Sequence, residues 1–187
     1  MAYFHTEVAA AADTLGIDPG TVALPYLAAM LRDLAVDDPQ GHARVTTPLV
    51  DLLADALRAD RSQRPHRLRH LGDAALFICG FFPESFPRRG LSYAYVSSMG
   101  RGAYGAAEAA IVARLGTGTR VFGLLAETFA EHARILDEVA ERTTLRGRVD
   151  VAALYARWSR SGSPRIMARL AEMGLPPQLL RARGALH

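Results

Sequence analysis

The sequence predicts an all-α protein: a compact multi-helix bundle built around one central apolar helix and closed by a C-terminal helical hairpin. Three observations predict it. Ala and Leu dominate and apolar residues recur at intervals of three and four. No stretch alternates with period two between hairpin turns. Gly and Pro fall where helices of ordinary length should stop. With 187 residues, half of them hydrophobic, the chain is long enough to bury one core without disulfides or metals, and residues 1–187 are read as one domain carrying a basic hairpin over 142–187.

Taken in order, the first helix is expected over His5–Leu15, stopped by Gly16 and by Pro19-Gly20. Thr21 then caps a second helix that runs to about Val36. After a polar loop, Thr47-Pro48 forms a helix start, and Leu49, Leu52, Leu53 and Leu57 make the buried stripe of a third helix. Ser62 or Arg64-Pro65 opens a fourth, whose second half, Ala74 to Phe82, is apolar on all sides, as befits a helix surrounded by others. Pro83 and Pro87 end it. Leu91 to Leu115 reads as a long fifth helix rich in small residues, which allow close helix approach. Past Gly116 to Gly118, Thr119 caps a sixth helix with Phe122, Leu125, Phe129, His132, Leu136 and Val139 on one face. Asp150 starts a helix to about Trp158, Ser161-Gly162-Ser163-Pro164 turns the chain, and Arg165 to Met173 completes the hairpin before a frayed tail.

The one cysteine, Cys79, excludes an internal disulfide and points to a reducing compartment, the cytoplasm. The longest apolar run is far short of a membrane span, and the N-terminus lacks the basic-then-apolar pattern of a leader. All 22 basic residues are Arg, a pattern that fits a GC-rich genome. The charge is uneven: nine acids face three Arg through Asp60, and ten acids face nineteen Arg from Arg61 onward. Such polarity reads first as a solvated basic face and, as the functional alternative, suits an acidic protein partner or nucleic acid.

Asp73 is the most unusual residue, since a carboxylate beside an apolar run is costly to desolvate. Arg69 and His70 can reach it along its own helix, and the hydroxyls of Tyr95 and Tyr104 are expected from the small-residue helix. Two readings follow: an internal polar network, or a ligand pocket floored by Asp73 and walled by aromatics. A closed site favours an interaction protein and an open cavity a receptor or enzyme. His66 and His70 have metal-compatible spacing but no designated third ligand, and Glu127, Glu131 and His132 lack the Glu-x-x-His pairs of a di-iron bundle; no metal or cofactor is expected. Cys79 has only apolar neighbours and reads as an inert thiol. The glycine-rich run Met99 to Gly105 lacks the ending of a phosphate loop and reads as close packing. Arg157, Arg160, Arg165 and Arg169 make the hairpin a weak candidate for anions or nucleic acid, disfavoured because its turn does not match a DNA-reading helix-turn-helix.

The motifs His70-Leu71-Gly72-Asp73 with Leu76-Phe77, Gly80-Phe81-Phe82-Pro83-Glu84-Ser85, and Tyr95 with Met99-Gly100 and Ala103-Tyr104-Gly105 resemble those of a family of uncharacterised bacterial all-α proteins. The likeness extends to Trp158, Ser161-Gly162-Ser163 and Arg165. It implies no activity and directs attention to Asp73, Tyr95 and Tyr104. Without a nucleophile-and-base pair or a cofactor fingerprint, the expected role is a non-catalytic cytoplasmic binding or regulatory module acting through protein interaction. A leftover apolar face is expected to close a two-fold homodimer.

Overall fold

The computed structural model describes residues 2–37, 48–83, 86, 91–146, 157–158 and 161–172. Its helices are α1 (Ala2–Leu15), α2 (Ala23–Asp37), α3 (Leu49–Arg58), α4 (Arg64–Phe81), α5 (Tyr93–Leu115), α6 (Val121–Glu127), α7 (Phe129–Arg146) and α8 (Pro164–Glu172), and there is no strand among the described residues. Thr47, Asp150 and the tail after Met173 lie outside the described residues. By contact the chain divides into two compact units, Met1–Val139 and Ala140–His187, the division falling within α7.

In the first unit α4 is the axis. Every residue from Leu71 to Gly80 is buried, while Phe81 and Phe82 are half-buried at its end, so the enclosed segment begins earlier and ends sooner than the Ala74 to Phe82 run expected from hydropathy. Asp60 starts the turn into α4: its carboxylate accepts from the backbone of Ser62 (2.8 Å) and Gln63 (2.9 Å) and from the Ser62 hydroxyl (2.6 Å). These bonds hold the Asp60 carboxyl below the usual carboxylate range. Arg64 reaches back to the Leu57 and Ala59 carbonyls, each at 3.2 Å, closing the end of α3.

Helices α3 and α5 pack on α4, α6 on α5, and α1 on α2. Two glycines of α4 set how closely its neighbours come. A Cβ on Gly72 would stand 2.7 Å from the Tyr104 ring of α5, and one on Gly80 would overlap the Leu136 side chain of α7 and lie 3.1 Å from the Ala133 carbonyl. Helix α5 starts and stops as its sequence dictates: the Ser92 hydroxyl accepts the Tyr95 amide, and Gly116, at φ 74°, turns the chain out of the helix.

Three expectations need correction. The single sixth helix is two, because the Thr128 hydroxyl donates back to the Leu124 carbonyl at 2.8 Å and its backbone leaves helical geometry. The apolar face survives the break: Phe122, Leu125, Phe129, His132, Leu136 and Val139 are all buried. Thr119 does not cap α6, because its hydroxyl donates to Glu108 of α5 at 2.7 Å. The same carboxylate accepts the Arg120 amide at 2.9 Å, with Arg120 at φ 63°. On α3, Leu49 and Ala56 are buried, Leu52 and Leu53 are half-buried, and Leu57 is 63% exposed. The stripe is therefore rotated from the one its leucines predicted.

In the second unit, Gly162, at φ 65°, donates its amide to the Trp158 carbonyl at 2.8 Å. Ser163 opens α8: its hydroxyl faces the Ile166 amide and donates to the buried Glu141 carboxylate. Trp158, Ile166 and Leu170 are buried.

Replacing Gly80 by Ala adds helix propensity but forces a methyl into filled space, and is expected to destabilise by about 1–3 kcal/mol. Gly102→Ala, where an added Cβ meets nothing within 4 Å, is expected to stabilise by about 0.5–1 kcal/mol. Urea denaturation of both variants against the parent checks the pair; equal effects at the two sites would deny the close approach.

Candidate functional site

The position of Asp73 follows from its helix. Packed on several sides, α4 leaves residue 73 no path to solvent, and Asp73 is 4% exposed. A bare carboxylate there would be prohibitive, and three donors converge on it. Tyr26 of α2 donates to Oδ1 at 2.5 Å, Tyr104 of α5 donates to Oδ1 at 2.8 Å, and Arg69, one turn earlier on α4, donates from Nε to Oδ2 at 3.3 Å. Gly72 makes the Tyr104 contact possible, because any side chain there would strike the ring. Phe122 of α6 organises both phenols, lying parallel to Tyr104 (5.9 Å, 10°) and edge-on to Tyr26 (5.6 Å, 87°). The Arg69 guanidinium sits 5.9 Å from the centre of the Tyr26 ring. The cluster thus ties α2, α4, α5 and α6 together.

Burial raises the Asp73 carboxyl above the ordinary aspartate value, opposed by the hydroxyls of Tyr26 and Tyr104 and by the Arg69 charge. Burial, and then the Asp73 charge, hold both phenols well above the usual tyrosine range. Both therefore remain donors at neutral pH. Both carboxylate oxygens of Asp73 are engaged by donors from within the protein.

Of the residues expected around Asp73, Arg69 and Tyr104 are brought to it, and His70, three residues earlier on α4, is half-buried. Tyr95 is not brought there. It is 44% exposed, and the helix explains why: nine residues separate it from Tyr104, about two and a half turns, which places them on opposite sides of α5. Tyr26 takes the place foreseen for Tyr95. Its signal was a phenol on the otherwise apolar run Ala23 to Leu31.

The remaining candidates lie at other places. Arg157 and Arg165 are half-buried in the second unit, Arg169 lies on α8, and Arg160 is outside the described residues. His66 is exposed, and no group of three potential metal ligands occurs among the described residues. Burial pushes the Cys79 thiol up to about 12, and the run Met99 to Gly105 is helical, with Gly100 against the Phe129 ring and the Ala75 methyl. His132 is a satisfied core residue. Its Nε2 faces the Pro19 carbonyl at 3.3 Å, and its Nδ1 faces the Thr128 carbonyl at 3.0 Å and the Thr128 hydroxyl at 3.1 Å, so each ring nitrogen lies against a polar atom of the protein. Burial lowers its pKa, against hydrogen bonds to Pro19 and Thr128.

Surface depressions of about 340 and 350 Å³ lie elsewhere, one lined by Ser98, Arg101, Gly102, Ala126 and Glu127, the other by Asp55, Arg58, Ala59, Asp60, Gln63 and Arg67. Comparison of the chain with protein-family models, curated proteins and solved structures returned no match. Among the described residues no helix is long and apolar enough to cross a membrane.

Asp73→Ala is expected to cost roughly 1–3 kcal/mol, because it orphans the buried Tyr104 hydroxyl and the half-buried Tyr26 hydroxyl, and Tyr26→Phe about 1 kcal/mol. Together the two changes should cost less than their sum; additive losses in a double-mutant cycle would deny the shared network. For His132, the folded state favours the neutral ring more than the unfolded chain does. Its contribution is present above the unfolded pKa of about 6.5 and is lost as pH falls through the lower folded value. His132→Gln should flatten the decline in melting temperature below pH 6.5, and an unchanged slope would remove His132 as its source.

Proposed function

We propose that this chain is a non-catalytic helical module that works in the cytoplasm by binding protein, a second copy of itself included. The observation that carries the reading is the closure of the Asp73 cluster: carboxylate and Tyr104 are buried, and Oδ1 and Oδ2 already hold three donors. A ligand would have to break these bonds to enter. Apolar side chains meanwhile stand exposed on rigid helices, Val50 and Leu57 on α3 and Tyr95, Val112 and Leu115 on α5, the kind of surface that protein contacts cover. The excess of Arg after residue 60 favours an acidic protein as a further partner. The same reading keeps the chain with the bacterial helical proteins whose motifs it resembles, since Gly72, Asp73 and Tyr104 of those motifs build the anchor.

Native mass spectrometry of the protein purified from its own host tests the proposal. The expected spectrum shows the bare polypeptide mass within an oligomer or protein complex. A stoichiometric small molecule or metal, released only on denaturation, would overturn it in favour of a ligand-binding protein or enzyme.

A further inference from the structure

Helix α3 carries two large apolar side chains, Val50 and Leu57, that its own core leaves exposed. Val50 is 52% exposed and Leu57 63%, and Leu53 and Ala54 between them are half-buried. Val50 and Leu57 are one heptad apart, so they lie on one side of the helix, and Asp51 and Arg58 are also one heptad apart, on the adjoining flank. Asp51 is exposed, and the Arg58 side chain is 80% exposed with only a 4.0 Å approach to Asp55. The order along α3 is therefore apolar and acidic at one end, apolar and basic at the other.

That order is self-complementary. The geometry points to a second copy of this chain docked on α3, the two helices antiparallel about a two-fold axis between Leu53 and Ala54. This inference rests on the protein-binding reading above and names its surface. In an antiparallel pair a two-fold axis sets Val50 on Leu57 of the other copy and Leu53 on Ala54, and each contact occurs twice. The axis keeps the charged flanks on the same side, so Asp51 of each copy meets Arg58 of the other. A parallel two-fold pair would instead carry the two Asp51 and Arg58 flanks to opposite sides of the seam, where neither charge meets its complement. An unrelated acidic partner would gain nothing from Asp51 and Asp55 on this helix. Ten residues of helix span about 15 Å, less than a standard interface of about 800 Å² per partner requires. The dimer is therefore of the weak, transient kind.

Sedimentation equilibrium of the full chain over a concentration series, combined with charge reversal and cysteine pairing, tests this. Arg58→Asp should weaken association at least about tenfold, because like charges then face each other twice, and Asp51→Arg should do the same. The double exchange Asp51→Arg with Arg58→Asp should restore it to within about threefold. Both single changes oppose the helix dipole, so helicity and melting temperature are recorded alongside. Independently, a chain carrying Val50→Cys and Leu57→Cys should form covalent dimers under mild oxidation, whereas either cysteine alone should not. The heptad separation prevents an internal bridge, and buried Cys79 leaves the parent uncrosslinked. A monomer at all concentrations to about 500 µM would overturn the α3 pairing. So would a dimer indifferent to these changes, although that dimer would leave the protein-binding reading intact; a co-purified ligand in the native spectrum would remove that reading itself.

Discussion

The first unit depends on holding a carboxylate inside a helix that has no wet side. Leu71 to Gly80 is buried residue by residue, so Asp73 must find its partners within the protein. Such a demand is directional in a way that hydrophobic burial is not. Leucines on α5 would pack on α4 in several registers; a phenol that must bring its hydroxyl within 2.8 Å of one oxygen permits very few. Tyr26 imposes the same condition on α2, and the Phe122 ring between the two phenols extends it to α6.

Close approach and polar anchoring support one another here. Gly72 precedes Asp73 and supplies the gap the Tyr104 ring fills, and two turns later Gly80 admits Leu136. Each glycine weakens the helix locally by about 1 kcal/mol relative to Ala, a cost offset by ring and side-chain contacts that a wider spacing would lose. The helices meeting α4 are correspondingly specific in where they begin, turn and end: Asp60 starts α4, Ser92 starts α5, and Glu108 holds the turn into α6.

The proposed protein-binding role looks outward from this cluster, whose carboxylate oxygens are engaged by donors from within. Exposed apolar residues on α3 and α5 sit on helices whose backbones are fixed by that core, a favourable setting for recognition because little order has to be gained on binding. Leu57 illustrates the point: its sequence neighbours predicted burial, and its exposure leaves apolar area for another surface to cover.

Composition and periodicity by themselves determined the helical class, the central role of the segment after Asp73, the stop of α5 at Gly116, and the need of Asp73 for partners. These are local matters, decided by side-chain polarity, backbone freedom and the number of residues per turn. Arg69 was legible for the same reason, lying one turn from Asp73. Tertiary structure decided which hydroxyls arrive. Tyr95 and Tyr104 look equivalent until the side of α5 that meets α4 is known, and Tyr26 lies 47 residues from Asp73, a separation across which no local rule operates. The break at Thr128 and the rotation of α3 belong to the same class. Each reflects how a helix turns to fit its neighbours, a property of the assembled core that no single segment contains.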